Sequence, residues 1–264
     1  MIEPRCQSLG FRTDLMLRTM GGSHVIDHGT HLTVHTPGNP DYWWGNFLLA
    51  PAGSEPADWA EEFAAAFPGV AHRAIGVDTA WAETFDPGEL ARLDLTLQED
   101  AVLTACALPP PVEPPGAEIR PLSGDQDWGQ AAQLRFVMEE SAHLAVHHAF
   151  LTRKLAEYRR ICEAGHGAWF GAFVDGRMRA GAGVFSDGGG LARFQNVETH
   201  PEFRRRGLAG AVVRHAGAWA LTRPGVHTLV IVADPGYHAI RLYRSLGFTD
   251  TQRQVSLLRP AYVC

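Results

Sequence analysis

The sequence lacks the features that mark several large classes of protein. Its four cysteines are scattered over 264 residues with no C-x-x-C pair, so neither a disulfide framework nor a zinc ribbon is indicated. No apolar run reaches the roughly 18–20 residues that a bilayer-spanning helix needs, and the N-terminus lacks the basic-then-apolar order of a signal peptide. The net charge of −6 leaves no basic excess for a nucleic-acid surface. We expect a soluble, cytoplasmic protein with free thiols and with no membrane or nucleic-acid partner.

Several catalytic and nucleotide-binding motifs are missing as well. There is no G-x-x-x-x-G-K-[ST] of a P-loop, no G-x-G-x-x-G after a strand, no H-E-x-x-H and no G-x-S-x-G. The histidines at 24, 28, 31 and 35 suggest a metal cluster, but Gly29, Thr30 and Thr33 favour a turn and a strand there. Because their spacing then has no helical meaning, we expect no metal site.

A proline-rich stretch, "ALPPPVEPPGAEIRPL" at residues 107–122, interrupts the chain. Proline continues neither a helix nor a central strand, so the stretch predicts an extended, semi-rigid spacer. We place a domain boundary there, giving domains 1–113 and 114–264; a long loop within one domain is the alternative.

The second domain alternates between predicted strands and helices. Strands are predicted at "AEIRPL", at a hairpin around Asp175-Gly176, at "LARFQNVETH", at "HTLVIVAD" and at "TDTQRQVSLLRP", with helices between them. This order predicts a mixed α/β fold.

Residues 200–221, "HPEFRRRGLAGAVVRHAGAWAL", stand between a predicted strand and a predicted helix. The first N–H groups of a helix are unpaired and carry a partial positive charge. Gly207 and Gly210 would let a diphosphate approach them, beside Arg204, Arg205 and Arg206. The stretch predicts a diphosphate site. The alternatives are a solvated charge cluster and a nucleic-acid contact, the latter disfavoured by the acidic balance.

"NVETHPEFRRRGLAGAVV" followed by "AIRLYRSLGF" resembles the GNAT superfamily of acyl-CoA N-acyltransferases, over roughly residues 116–262. The resemblance implies a mixed, mostly antiparallel sheet flanked by helices, acetyl-CoA as co-substrate and no metal. It also implies that the second stretch lies beside the pantetheine arm, and that backbone amides around Val197 and Thr199 bind the thioester carbonyl. The residues implied to bind the coenzyme A diphosphate are Arg204, Arg205, Arg206, Gly207, Leu208, Ala209 and Gly210.

Transfer of an acyl group to an amine needs a base for the amine and a proton for the thiolate. Glu198, at the end of the strand before the loop, is our candidate base, with His200 as the alternative. The resemblance gives the acid role to Tyr243. A solvated carboxylate and a core tyrosine are the structural alternatives. Helical residues that would line an acceptor pocket, or lie on a solvated face, are Arg135, Glu139, Glu140, His143 and His147.

The first domain repeats the strand, helix, strand, helix, strand order of the second domain's closing portion. We predict a degenerate GNAT-like domain in a tandem arrangement; an unrelated accessory domain is the alternative. Glu55, Asp58, Glu61 and Glu62 lie where the second domain has arginines, so no diphosphate site is expected. Tyr42, Trp43 and Trp44 would line the acceptor pocket or belong to the core.

Together these features predict an enzyme that acetylates a primary amine of a small molecule or peptide by direct transfer. The alternative is a non-catalytic acyl-CoA-binding or regulatory module. The acceptor's identity and the oligomeric state stay open, because the fold does not decide them.

Overall fold

A computed structural model describes residues 6–40, 42–139 and 145–259, and the chain divides into two compact units. Within the described residues, the first unit runs to Leu103 and includes Val232–Tyr237 and the segment from Asp250; the second comprises Thr104–Ile231 and His238–Thr249. The domain boundary near residue 114 stays a prediction. None of the described helices combines the length and the apolar character that crossing a membrane requires.

The first unit is a mixed sheet with three helices among its described residues. Its sheet follows the strand order β1-β2-β3-β4-β11-β5. The elements are α1 (Leu9–Met20), β1 (His24–Asp27), β2 (Leu32–His35), β3 (Phe47–Pro51), α2 (Pro56–Ala66), β4 (Arg73–Asp78), α3 (Pro87–Arg92), β5 (Thr96–Ala105) and β11 (Thr249–Arg259).

The β3–α2–β4 segment is a parallel crossover, with Leu48 opposite Ile75 in the ladder. Sequence patterns predicted this strand–helix–strand order, and the structure has it. The chain's last strand, β11, pairs antiparallel with β4, with Val255 opposite Val77. The sequence analysis had placed this strand at the end of the second domain.

Helix α1 was missed from the sequence. Its start is fixed by Ser8, whose hydroxyl accepts from Phe11 N, and by Asp78, which accepts from the backbone N–H groups of Gln7 and Ser8. The ring of Phe11 is fully buried and packs where a side chain on Gly76 would stand. Ser8 and Asp78 are 70 positions apart in the chain, so the sequence pattern around either residue does not reveal their contact.

Tyr42, Trp43 and Trp44 precede β3 in the chain. Trp43–Gly45 form a 3-10 turn, and the strand begins at Phe47. Trp43 and Trp44 pack against the hydrophobic core of the first unit, and the Arg18 guanidinium lies over the ring of Tyr42, 4.7 Å from its centroid. These aromatic residues therefore contribute to packing within the first unit.

The second unit has the sheet order β10-β9-β8-β7-β6. α4 packs on β8 and β9, α5 packs on β7 and β8, and α6 packs on β6 to β9. The elements are β6 (Ala117–Pro121), α4 (Gly124–Met138), α5 (Ala145–Glu163), β7 (Gly167–Val174), β8 (Arg177–Phe185), β9 (Leu191–Thr199), α6 (Leu208–Leu221), β10 (Thr228–Ala233) and α7 (Ala239–Ser245).

The predicted hairpin is present, with its turn at Asp175 and Gly176. Both residues have positive φ, 52° and 71°, which is the conformation that a two-residue turn of this kind needs. The mixed α/β class predicted from the order of elements is confirmed.

The proline-rich stretch contacts α6 at three places. Arg214 donates to the carbonyl of Pro110, Leu108 packs where a side chain on Gly217 would stand, and Pro114 lies near Gly207. These contacts anchor the proline-rich stretch to the second unit.

Candidate active site

Helix α6 begins without a side-chain cap. Gly207 occupies the N-cap position with φ 78° and ψ −2°, and no side-chain cap is present there among the described residues. This left-handed conformation favours glycine, and it turns the chain sharply from the loop into the helix. A side chain on Gly207 would point into open space, with only Pro114 within 4 Å. The N–H groups of the first turn are thus accessible to an anion.

Exposed arginines surround this helix end. Arg204, Arg205 and Arg206 are all exposed, and Arg205 also has positive φ, 61°. The Arg206 guanidinium lies 4.7 Å from the centroid of the Phe203 ring, so that one of the three cations packs on an aromatic ring beside the helix.

The strands β9 and β10 separate just before the loop. They pair in parallel from Leu191–Thr228 to Arg193–Val230, whereas β9 continues to Thr199. The backbone of β9 beyond Arg193 therefore has no ladder partner on that side. The part of β9 that has separated from β10 contains Val197 and Thr199.

A bulge in β9 sets the direction of the side chains at this end. Gly183 pairs with Gln195 and Gly181 pairs with Glu198, so β9 has one more residue than β8 over this span. Asn196 takes up the extra residue with φ 50°. A bulge reverses the alternation of faces along a strand, and it brings Glu198 under helix α4.

Glu198 is a buried carboxylate with one charged partner. Its side chain is 4% exposed, and Oε2 lies 3.1 Å from Arg135 Nη1. Burial raises the pKa of Glu198 to about 7, and the charge and hydrogen bond of Arg135 oppose that rise only in part. Oε1 has no hydrogen-bond partner among the described residues. The alternative of a solvated carboxylate at a strand end is therefore wrong.

Glu139, at the C-cap of α4, carries a second carboxylate near that of Glu198. Arg135 Nη2 lies 2.9 Å from Glu139 Oε2, and Glu139 Oε1 lies 3.6 Å from His147 Nε2 on α5. Arg135, Glu139 and His147 were predicted to line an acceptor pocket or lie on a solvated face, and the structure brings them together beside Glu198. Glu140 and His143 lie outside the described residues.

His200 and Tyr243 lie in different settings. His200 caps a short 3-10 turn, with Nδ1 accepting from Glu202 N at 3.4 Å. Tyr243 is buried on α7, and its ring packs against that of Phe248 with centroids 6.4 Å apart. The proposed roles of Tyr243, Val197, Thr199 and the loop residues 204–210 stay predictions.

The histidines of the first unit pack among themselves and with their neighbours. His28 and His31 stack with ring centroids 4.5 Å apart, and His28 and His35 each hydrogen-bond Thr33 Oγ1. Across residues 6–40, 42–139 and 145–259, no group of three or more histidine, cysteine or acidic side chains is arranged to hold a metal ion.

The first unit has acidic residues where the second has arginines. In the loop between β3 and α2, Gly53 N donates to Glu83 Oε1 at 3.2 Å. Glu55 occupies the N-cap of α2, and Asp58 lies in its first turn. These carboxylates disfavour an anion at this helix end.

Comparisons with known proteins agree with this architecture. The acetyltransferase (GNAT) family model matches residues 135–248, and no curated protein matches the chain. The solved structures that share its fold include the following three. A functionally unknown conserved protein from Staphylococcus epidermidis has a TM-score of 0.72 at 11% identity, covering 90% of this chain and 94% of that one. A GCN5-related N-acetyltransferase from Kribbella flavida has a TM-score of 0.62 at 17% identity, covering 96% of both. A tandem GNAT protein from the clavulanic acid biosynthesis pathway has a TM-score of 0.56 at 14% identity, covering 94% of this chain and 88% of that one.

The GNAT-like fold class predicted from the sequence is confirmed by these matches, which span both halves of the chain. Over residues 135–248 the chain matches the GNAT acetyltransferase family, and outside that range its likeness to GNAT proteins is one of fold.

Proposed function

We propose that the protein is an acetyl-CoA-dependent N-acetyltransferase that acetylates a primary amine by direct transfer. The observation that carries the proposal is the uncapped start of α6 at Gly207, next to the point where β9 and β10 separate. Backbone N–H groups, a helix dipole and exposed arginines form an anion site there. The unpaired edge of β9 offers hydrogen bonds to an extended, amide-containing chain such as pantetheine.

In this reaction Glu198 is the base. An ammonium has no lone pair, so the acceptor must lose a proton before its nitrogen attacks the thioester carbonyl. With its pKa raised to about 7, Glu198 is partly ionised near neutral pH and still basic enough to accept that proton. Its Oε1, buried and without a partner among the described residues, is the acceptor atom.

The remaining steps need hydrogen-bond donors and an acid. As the nitrogen–carbon bond forms, backbone amides around Val197 and Thr199 stabilise the oxyanion of the tetrahedral intermediate. When the carbon–sulfur bond breaks, Tyr243 donates a proton to the thiolate. The nitrogen, positively charged after its attack, releases its second proton as the amide forms, and this proton restores Tyr243 directly or through solvent. The products are the N-acetylated amine and free coenzyme A, and no metal takes part.

The test is thiol release from acetyl-CoA across a panel of small amines, amino acids and peptides, with Glu198→Gln as the matched control. We expect at least one amine to give thiol release that the variant lacks. Binding of acetyl-CoA with no amine-dependent release would favour a non-catalytic acyl-CoA-binding module. No binding of acetyl-CoA at all would contradict the proposal.

A further inference from the structure

Arg135, on α4, connects the buried carboxylate of Glu198 to Glu139 and, through Glu139, to α5. Its Nη1 donates to Glu198 Oε2 at 3.1 Å, and its Nη2 donates to Glu139 Oε2 at 2.9 Å. Since the two contacts use different nitrogens of one planar group, they fix the guanidinium's orientation as well as its position. The Arg135 side chain is 23% exposed, so solvent screens these contacts only in part.

The other end of this chain of contacts is on α5. Glu139 Oε1 lies 3.6 Å from His147 Nε2, and that nitrogen is buried with no hydrogen-bond partner among the described residues. Glu139 therefore lies between Arg135 on its own helix and His147 on the next. This arrangement keeps the Arg135 side chain directed at β9.

The two oxygens of Glu198 differ in their surroundings. Oε2 accepts from Arg135, whereas Oε1 is buried and has no donor within the described part of the chain. Leaving a buried carboxylate oxygen without a donor costs free energy, which is consistent with a place kept for a polar group of a ligand.

We propose that Arg135 is a positioning residue for the base of the proposed reaction. Arg135 fixes Oε2 of Glu198, and Glu139 and His147 in turn fix Arg135. Oε1 of Glu198 is thereby directed at the acceptor amine. The identity of Glu198 as base rests on the proposed function. The geometric part, that Arg135 and Glu139 act on the carboxyl in opposite directions, does not need turnover to be tested.

The charges next to Glu198 have opposite effects on its protonation. Arg135 lowers the pKa of the carboxyl, and Glu139 raises it, both acting on a group whose burial already raises its pKa. Other titratable groups occur on the elements that pack around β9. On α5 these are His147 and the ion pair of Lys154 with Glu157. On β8 the group is Arg179, and on α6 they are Arg214 and His215.

The test is a titration of the Glu198 carboxyl by NMR of the full chain labelled with ¹³C at the glutamate side-chain carboxyl, with the signal assigned by its loss in Glu198→Gln. In Arg135→Met the titration midpoint should rise by about one pH unit or more, because an adjacent opposite charge lowers a carboxyl pKa by roughly 1–3 units. Arg135→Lys should give a smaller rise. Glu139→Gln should lower the midpoint.

Arg159→Met is the matched control. Arg159 also bridges α4 and α5, through Asp125 Oδ1 at 2.7 Å and Glu163 Oε1 at 2.7 Å, but it does not contact Glu198. Loss of a purely structural bridge would leave the midpoint in place, and we expect that result for Arg159→Met.

An unchanged midpoint in Arg135→Met, or a rise in Glu139→Gln, would overturn the proposal. If Arg135→Met does not fold, Arg135→Lys and Glu139→Gln still give opposite predicted shifts. With a competent acceptor, the ascending limb of kcat/KM against pH should move in the same directions as the NMR midpoints. If the Arg135 and Glu139 variants shift the midpoint in opposite directions but the protein releases no thiol with any amine, the proposed function is contradicted. The effect of Arg135 on the Glu198 carboxyl would still stand.

Discussion

Gly207→Asp tests the anion site through the one residue whose conformation creates it. The residue's φ is 78°, and a side chain there would extend into open space at the start of α6. The carboxylate would occupy the position that we assign to the diphosphate, and it would be available to the first-turn N–H groups itself. We expect a folded protein with weaker binding of acetyl-CoA.

The expected loss of acetyl-CoA affinity follows from the repulsion between the new carboxylate and the diphosphate. A diphosphate carries about two negative charges, and each interacts with a carboxylate ~4 Å away by about 1 kcal/mol even at the dielectric constant of water. A loss of ~2 kcal/mol corresponds to a roughly 30-fold rise in Kd, since each 1.4 kcal/mol is tenfold. Competition for the N–H groups adds to this, so about 30-fold is the lower bound.

The strain of the substitution needs its own control. Gly176→Asp introduces the same side chain at φ 71°, with no atom within 4 Å, in the hairpin turn of the same unit. Both variants should lose about 1–2 kcal/mol of stability from the left-handed backbone. Calorimetry with acetyl-CoA should separate them. Equal affinity of folded Gly207→Asp and Gly176→Asp proteins would refute the anion site.

Two further predictions concern acid–base groups. With a competent acceptor, Glu198→Gln and Tyr243→Phe should each lower kcat by about 10²–10⁴-fold with little change in the KM for acetyl-CoA; wild-type kinetics in both would place the chemistry elsewhere. The pKa values of His31 and His35 are lowered by burial and by the charge of His28. The unfolded chain therefore takes up these protons first, and stability should fall as the pH drops below about 6.5. Urea unfolding at pH 7 and pH 5 should show a smaller drop for the His31→Gln/His35→Gln double variant than for the wild type; equal drops would contradict this assignment.

The fold of the second unit was largely predictable because its signals are local. Alternating apolar residues, the Asp175-Gly176 turn and the glycine-started helix each depend on a few consecutive residues. In the first unit, by contrast, α1 depends on Asp78 for its start, and β11 finds its partner β4 more than 150 residues away in sequence. Contacts between residues so far apart in sequence produce no local periodic pattern, so they could not be predicted from the sequence.

The candidate site was predictable in its residue types and not in its connections. The loop and Glu198 stand next to each other in the chain, and the motif marks both. The Arg135–Glu198 contact joins residues on different elements, and it depends on the one-residue bulge at Asn196. The i, i+4 spacing of Arg135 and Glu139 was the one local signal, and it is equally typical of a solvated helix face.

The most direct test of the central claim is a calorimetric titration with acetyl-CoA of the wild type and of the Arg204→Glu/Arg206→Glu variant. The matched control is Arg92→Glu/Arg177→Glu, which changes the net charge equally at two exposed arginines that are not part of the loop. We predict one acetyl-CoA per chain in the wild type and in the control, and no measurable binding in the loop variant. Two sites per chain, or tight binding that survives in the loop variant, would contradict a single coenzyme A site at the start of α6.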